Sequence, residues 1–134
     1  MDALSLLQKN DPTLECLAKC SPSLLQKTDM PENLLKRSRH VVEEQDRVLR
    51  FGEGLKNGTP PRELGLLLNA SNQSSSKLFE NNIPELDFMV SQLIGNDKVM
   101  GARLTGGGFG GAVLAWTTQS FSEEDASLVA EKYD

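Results

Sequence analysis

Apolar positions recur at helical spacing up to Gly95 and then change to short continuous runs. Leu4, Leu7, Leu14, Leu17, Leu24 and Leu25 predict one or two short helices in residues 1–28, interrupted at Ser21-Pro22. Asp11-Pro12 reads as an N-cap and first helical residue for a short helix carrying Cys16 and Cys20. Asp29-Met30-Pro31-Glu32 resets the chain, with Asp29 as cap and Glu32 placed as in a capping box. A strong amphipathic helix follows. Leu34, Leu35, Ser38, Val41, Val42, Gln45, Val48 and Leu49 share one face, and Lys36, Arg37, Arg39, Glu43, Glu44, Asp46, Arg47 and Arg50 fill the other. Gly52, Gly54 and Asn57-Gly58 predict its end.

Thr59-Pro60-Pro61 opens the next helix, with Leu64, Leu67, Leu68 and Ser71 on one face, fraying over 74–76 and broken at Asn81-Asn82. Ile83-Pro84-Glu85 opens another, whose buried face is Leu86, Met89, Val90, Leu93 and Ile94. Val99–Leu104 and Ala112–Thr118 then read as strands, and Ser122 caps a last helix with three acids in its first turn. The expected class is α+β, with antiparallel helices packed on one face of a small antiparallel sheet. Two strands make a marginal sheet. The sheet is therefore expected to be incomplete, the chain to be a piece of a larger protein, and its open edge to pair with a second copy as a dimer.

Composition narrows the partners. The 134 residues are one domain's worth, with 38% hydrophobic and 25% charged positions. A formal net charge of −5 argues against nucleic acid, which requires clustered positive charge. No apolar run approaches the roughly 20 residues of a membrane span, and Met1-Asp2-Ala3-Leu4-Ser5 lacks a secretory signal pattern. No nucleic-acid or membrane partner is expected, and the chain is placed in the cytoplasm. Cys16 and Cys20, four apart and without a second cluster, read as reduced structural thiols and not as a zinc site. His40 is the lone histidine and lacks a catalytic constellation, so a structural role or plain exposure is expected. No carboxylate pair stands out as general acid and base. The acids of the 43–47 run and of 85–87 are explained by a solvated helix face and a helix start.

The candidate chemistry lies between the strands, in Thr105-Gly106-Gly107-Gly108-Phe109-Gly110-Gly111. Gly106, Gly108 and Gly111 match G-x-G-x-x-G, but a dinucleotide-binding turn needs a helix next and a strand is expected instead. With Val113 the run also matches the protein-kinase form, yet neither H-R-D nor D-F-G occurs. A hairpin turn needs fewer glycines, each of which costs roughly 0.5–1 kcal/mol of chain entropy. Close approach of the backbone to a ligand or another loop explains the excess.

Gly101-Ala102-Arg103-Leu104-Thr105-Gly106-Gly107-Gly108-Phe109-Gly110-Gly111 resembles the third signature motif of the GHMP small-molecule kinases, in the form of the galactokinase branch. Arg37-Ser38-Arg39-His40-Val41-Val42-Glu43-Glu44 is similar to that branch's R-x-R-H-V-x-x-E helix. Ser71-Asn72-Gln73-Ser74 with Pro84-Glu85-Leu86-Asp87 resembles its S-H-x-S…P-E-L-D stretch, with Asn72 in place of the histidine. The resemblance implies that residues 1–134 are the C-terminal domain of a sugar kinase, truncated at both ends. The phosphate loop and the catalytic Asp and Arg would lie in an N-terminal half that this chain lacks, so no catalytic residue is assigned here.

It further implies ATP and Mg²⁺, bound mainly by that missing half, and transfer of the γ-phosphoryl group to the anomeric hydroxyl of galactose. Thr105, Gly106, Gly107, Gly108, Phe109, Gly110 and Gly111 would form one wall of the cleft, with Arg103, Ser71 and Asn72 as supporting residues and no metal ligand. Phe109 is expected to pack into the core, as buried aromatics do. Arg103 is open between an internal ion pair and a cleft charge. A side chain larger than Ala at Gly106 or Gly108 is expected to lower turnover of the full-length enzyme without unfolding it. The piece alone is expected to be inactive. The alternatives are a kinase for a related sugar (N-acetylgalactosamine or arabinose), a non-catalytic regulator that binds sugar and ATP, and a stand-alone helix-rich binding domain.

Overall fold

The computed structural model describes residues 2–133. The chain divides into two compact units, Met1–Arg50 and Phe51–Asp134. The first contains α1 (Ala3–Gln8), a 3-10 turn (Leu17–Lys19), α2 (Pro22–Lys27) and most of α3 (Glu32–Asn57). Its core is Leu7, Leu14, Cys20, Leu25 and Val42, with Leu4, Leu17, Leu24 and Met30 packed against it. Asp2 caps α1 through Ser5 N–H, and Ser21 caps α2 through Leu24 N–H.

The short helix expected after Asp11 does not form. The Asp11 carboxylate accepts from the backbone N–H of Thr13 (3.0 Å) and from its hydroxyl (2.6 Å). That local turn competes with a helical start. The start of α3 also differs. Leu35 N–H reaches the Pro31 carbonyl, so the helix begins at Glu32 and not directly after Asp29. It runs through Gly52 and Gly54 and stops at Asn57, where Gly58 takes φ +69°. Along its predicted apolar face Ser38 and Val42 are buried, but Val48 and Leu49 are exposed.

The second unit holds α4 (Pro61–Ser74), a π-helical turn (Ser75–Phe79), α5 (Pro84–Ile94), β1 (Val99–Thr105), β2 (Ala112–Thr117) and α6 (Glu123–Tyr133). β1 and β2 form a two-stranded antiparallel sheet pairing Ala102 with Ala115, Leu104 with Val113 and Thr105 with Ala112. The register shifts between Val99 and Gly101, leaving a bulge at Met100. One sheet face, with Ala102, Val113 and Ala115, packs on Met89, Val90 and Leu93 of α5, on Val129 of α6 and on Phe121. On the other face Trp116 meets Phe51, ring centroids 5.3 Å apart. The α+β architecture, the hairpin and the starts of α4, α5 and α6 follow the sequence pattern closely.

α4 lies against β1 at backbone contact. A Cβ on Gly65 would collide with the Met100 carbonyl, and one on Gly101 with the Gly65 carbonyl. Only glycine at both positions permits this approach. Asn69 Oδ1 accepts from Ala102 N–H and Asn72 Oδ1 from Leu104 N–H, both at 2.9 Å. Two side-chain amides thus satisfy alternate N–H groups along the edge of β1 that points away from β2.

Candidate functional site around the glycine loop

The loop between β1 and β2 is built from backbone conformations that side chains avoid. Gly106, Gly108, Gly110 and Gly111 take φ of +88°, +83°, +130° and +106°, and Phe109 takes +58°. Glycine is therefore required at these four positions by conformation. Gly107 has no such requirement, and an added Cβ there meets nothing within 4 Å. Open space also surrounds a Cβ on Gly106 or Gly110. Apart from residues adjacent in the chain, nothing therefore covers the Cβ side of the main chain at Gly106, Gly107 and Gly110.

Asn81 backs the other side. Its carbonyl accepts from Phe109 N–H at 2.7 Å, and its Nδ2 donates to the Gly107 carbonyl at 3.1 Å. A Cβ on Gly108 would press on the Asn81 carbonyl, with Nδ2 at 2.7 Å. Gly108→Val would therefore displace the loop by steric force alone, and loss of turnover there would not isolate a ligand contact.

Phe109 is not a core residue. Its side chain is 74% exposed. The bond from its N–H to Asn81 holds its main chain in the left-handed region, and from there the ring projects to solvent. Arg103 sits half-buried on β1, opposite Leu114, and its Nε donates to the Leu104 carbonyl at 2.8 Å. Ser71 and Asn72 are buried on α4. Asn72 reaches the strand at Leu104, immediately before Thr105, and not the loop itself. Thr105 ends β1 and is exposed.

Asp87 organises the ground beneath. Its carboxylate accepts from Ser76 Oγ (2.9 Å) and Asn82 Nδ2 (2.6 Å), with Asn72 Nδ2 at 3.5 Å. These bonds tie the π-helical turn, the segment after it and the first turn of α5 into one support. The sequence offered a signal for this network in its run of Asn and Ser, but no spacing rule connects them. Farther away, Lys98 pairs with Asp125 at 2.8 Å, joining the residue before β1 to the first turn of α6. Lys98 and the Ser122 N–H and hydroxyl hold the Asp125 carboxyl down to about 2, and the same pair raises Lys98. Among the described residues no group of three His, Cys, Asp or Glu side chains is placed to hold a metal ion.

The sequence family described as GHMP kinases C terminal matches residues 53–134. The chain belongs to the GHMP kinase family. Its glycine loop lies inside that match, as do α4, α5 and both strands. A galactokinase from Thermotoga petrophila is 40% identical over 129 residues, covering 94% of this chain and 37% of the relative. One from Haemophilus influenzae is 41% identical over 101 residues, covering 74% and 26%. The crystal structure of Lactococcus lactis galactokinase complexed with galactose superimposes with a TM-score of 0.89 at 30% identity, covering 98% of this chain and 34% of that one. The chain thus spans about a third of the length of these GHMP kinase relatives.

Proposed function

We propose that residues 1–134 are the C-terminal domain of a longer galactokinase-type sugar kinase, and that the loop Thr105–Gly111 forms one wall of its active cleft. The observation that carries this reading is a bare glycine backbone, within the segment matched to the GHMP kinase family, in a chain whose fold superimposes almost completely on a galactose-bound galactokinase. The proposed reaction is transfer of the ATP γ-phosphoryl group to the anomeric hydroxyl of galactose. Such transfers rest on positioning and charge stabilisation. The uncovered main chain of Gly106, Gly107 and Gly110 suits close approach to a sugar hydroxyl or a phosphate oxygen.

Mg²⁺ takes oxygen ligands from carboxylates and phosphates, and no group of three such side chains gathers among the described residues. Metal and most ATP contacts are assigned to the N-terminal half of the parent. Galactose is the proposed substrate and that half the proposed partner. The cytoplasm is the proposed compartment, in keeping with two free thiols at Cys16 and Cys20. Among the described residues no helix is long and apolar enough to cross a membrane.

The test is an ATP-dependent assay of the full-length protein against galactose, N-acetylgalactosamine and arabinose, beside the isolated 134 residues. Galactose 1-phosphate from the full-length protein and none from the isolated chain is the expected result. Turnover of another sugar would reassign the substrate. Sugar and ATP binding without turnover would make the parent a regulator.

A further inference from the structure

Asn81 grips the glycine loop with its main chain and its side chain together, across 26 residues of sequence to Gly107. The chain reaches this point because the π-helical turn closes at Glu80, whose φ of +58° redirects the backbone toward the loop. Asn81 is 7% exposed. Its Oδ1 is buried without a hydrogen-bond partner. An unpaired buried acceptor is a cost that an apolar side chain of similar size would avoid. What the amide adds is the Nδ2 bond to Gly107, one residue from the Phe109 N–H that the Asn81 carbonyl holds.

We propose that Asn81 is a positioning residue that keeps loop 106–111 in its ligand-ready arrangement. The loop cannot hold this shape by itself, because four of its glycines sit in conformations that are no cheaper than many others open to glycine. Two bonds to one buried residue select the arrangement. Asn81 touches no reacting atom, and its kinetic consequence rests on the sugar-kinase reading. If only a fraction of molecules hold the loop ready, apparent substrate affinity falls by that fraction. Saturating substrate selects the ready loop again, so kcat is spared.

The experiment uses the protein at its full natural length, with Asn81→Ala and the near-isosteric Asn81→Asp, which lacks the donor. Amide hydrogen exchange is expected to accelerate at least tenfold at Phe109. Ala102 and Leu104, held by Asn69 and Asn72, keep their rates and report an intact fold. In the kinase assay KM rises about tenfold while kcat stays within twofold. A folding defect would instead lower kcat at constant KM, and that pattern overturns the proposal. So does unchanged exchange at Phe109 in both variants. Should the Ala variant lose protection at Ala102 and Leu104 as well, the Asp variant decides. A wild-type protein that phosphorylates no sugar sinks the kinase reading, while the exchange result still decides whether Asn81 positions the loop.

Discussion

Gly107 differs from its neighbours in a way that makes it the sharper probe of the cleft wall. It is the glycine in the run that is neither at positive φ nor short of room. Gly→Ala at such a position changes stability by no more than about 1 kcal/mol, commonly in the stabilising direction. Gly107→Ala should therefore leave the melting temperature almost unchanged. If the bare backbone is there to meet a ligand, the added methyl should cut kcat/KM of the full-length enzyme at least tenfold. Full activity with unchanged stability would show that the open space at Gly107 is not ligand space. The glycine excess itself was legible in the sequence, because more glycines occur than a hairpin needs. The direction of Phe109 was not. Aromatic burial is a good average rule, but a left-handed backbone set by Asn81 overrides it. Asn81 was legible only as a helix break, and its grip on the loop was invisible, since a contact 26 residues away leaves no periodic trace.

Among the elements, length and period decided what could be read. α3, α5 and both strands appear nearly where their apolar spacing puts them. The misplaced starts lie at Asp11, which no long periodic segment follows, and at Asp29, where the periodic segment is real but its first turn opens only at Glu32. Asp11 spends its carboxylate on Thr13 instead. The α6 start was legible and is stronger than expected. Ser122 Oγ accepts from Asp125 N–H at 3.2 Å, while Asp125 Oδ2 accepts from Ser122 N–H at 2.8 Å, a reciprocal cap. Asp125 also takes Lys98, a partner 27 residues away.

This arrangement predicts a pH dependence at the α6 start. The folded carboxyl sits at about 2 against an ordinary 3.8, so between those values the unfolded chain binds more protons. The contribution of Asp125 is complete above roughly pH 4 and is lost as pH falls toward 2. Lys98→Met should remove part of that slope. Thermal melts of both proteins between pH 5 and about 2.5 check this, with the wild-type advantage shrinking on acidification. Parallel pH profiles for the two would remove the Lys98 pair as its cause.

For the molecule as a whole the two edges of the sheet are unequal, and the inequality decides how copies meet. The β1 edge is occupied, since Asn69 and Asn72 accept from Ala102 and Leu104 in the manner of a neighbouring strand. Those N–H groups point away from β2, so in the antiparallel register the main chain of their partners Ala115 and Val113 points away from β1. No further strand pairs there among the described residues. β2 also carries none of the usual guards against edge pairing. Ala112–Thr117 contains no charge and no proline, and Leu114 is 52% exposed beside the open edge. An antiparallel strand meets its own copy by a two-fold axis, so the edge is complementary to itself. The 134-residue chain should therefore dimerise in sedimentation velocity as concentration rises from low to high micromolar. Leu114→Lys, which sets two like charges near the axis, should return it to monomer. Where the parent's remaining length covers this edge, the full-length protein should stay monomeric under the same conditions. A monomeric 134-residue chain at every concentration would mean that the β2 edge is protected by its own side chains, and the paired-edge expectation would fall.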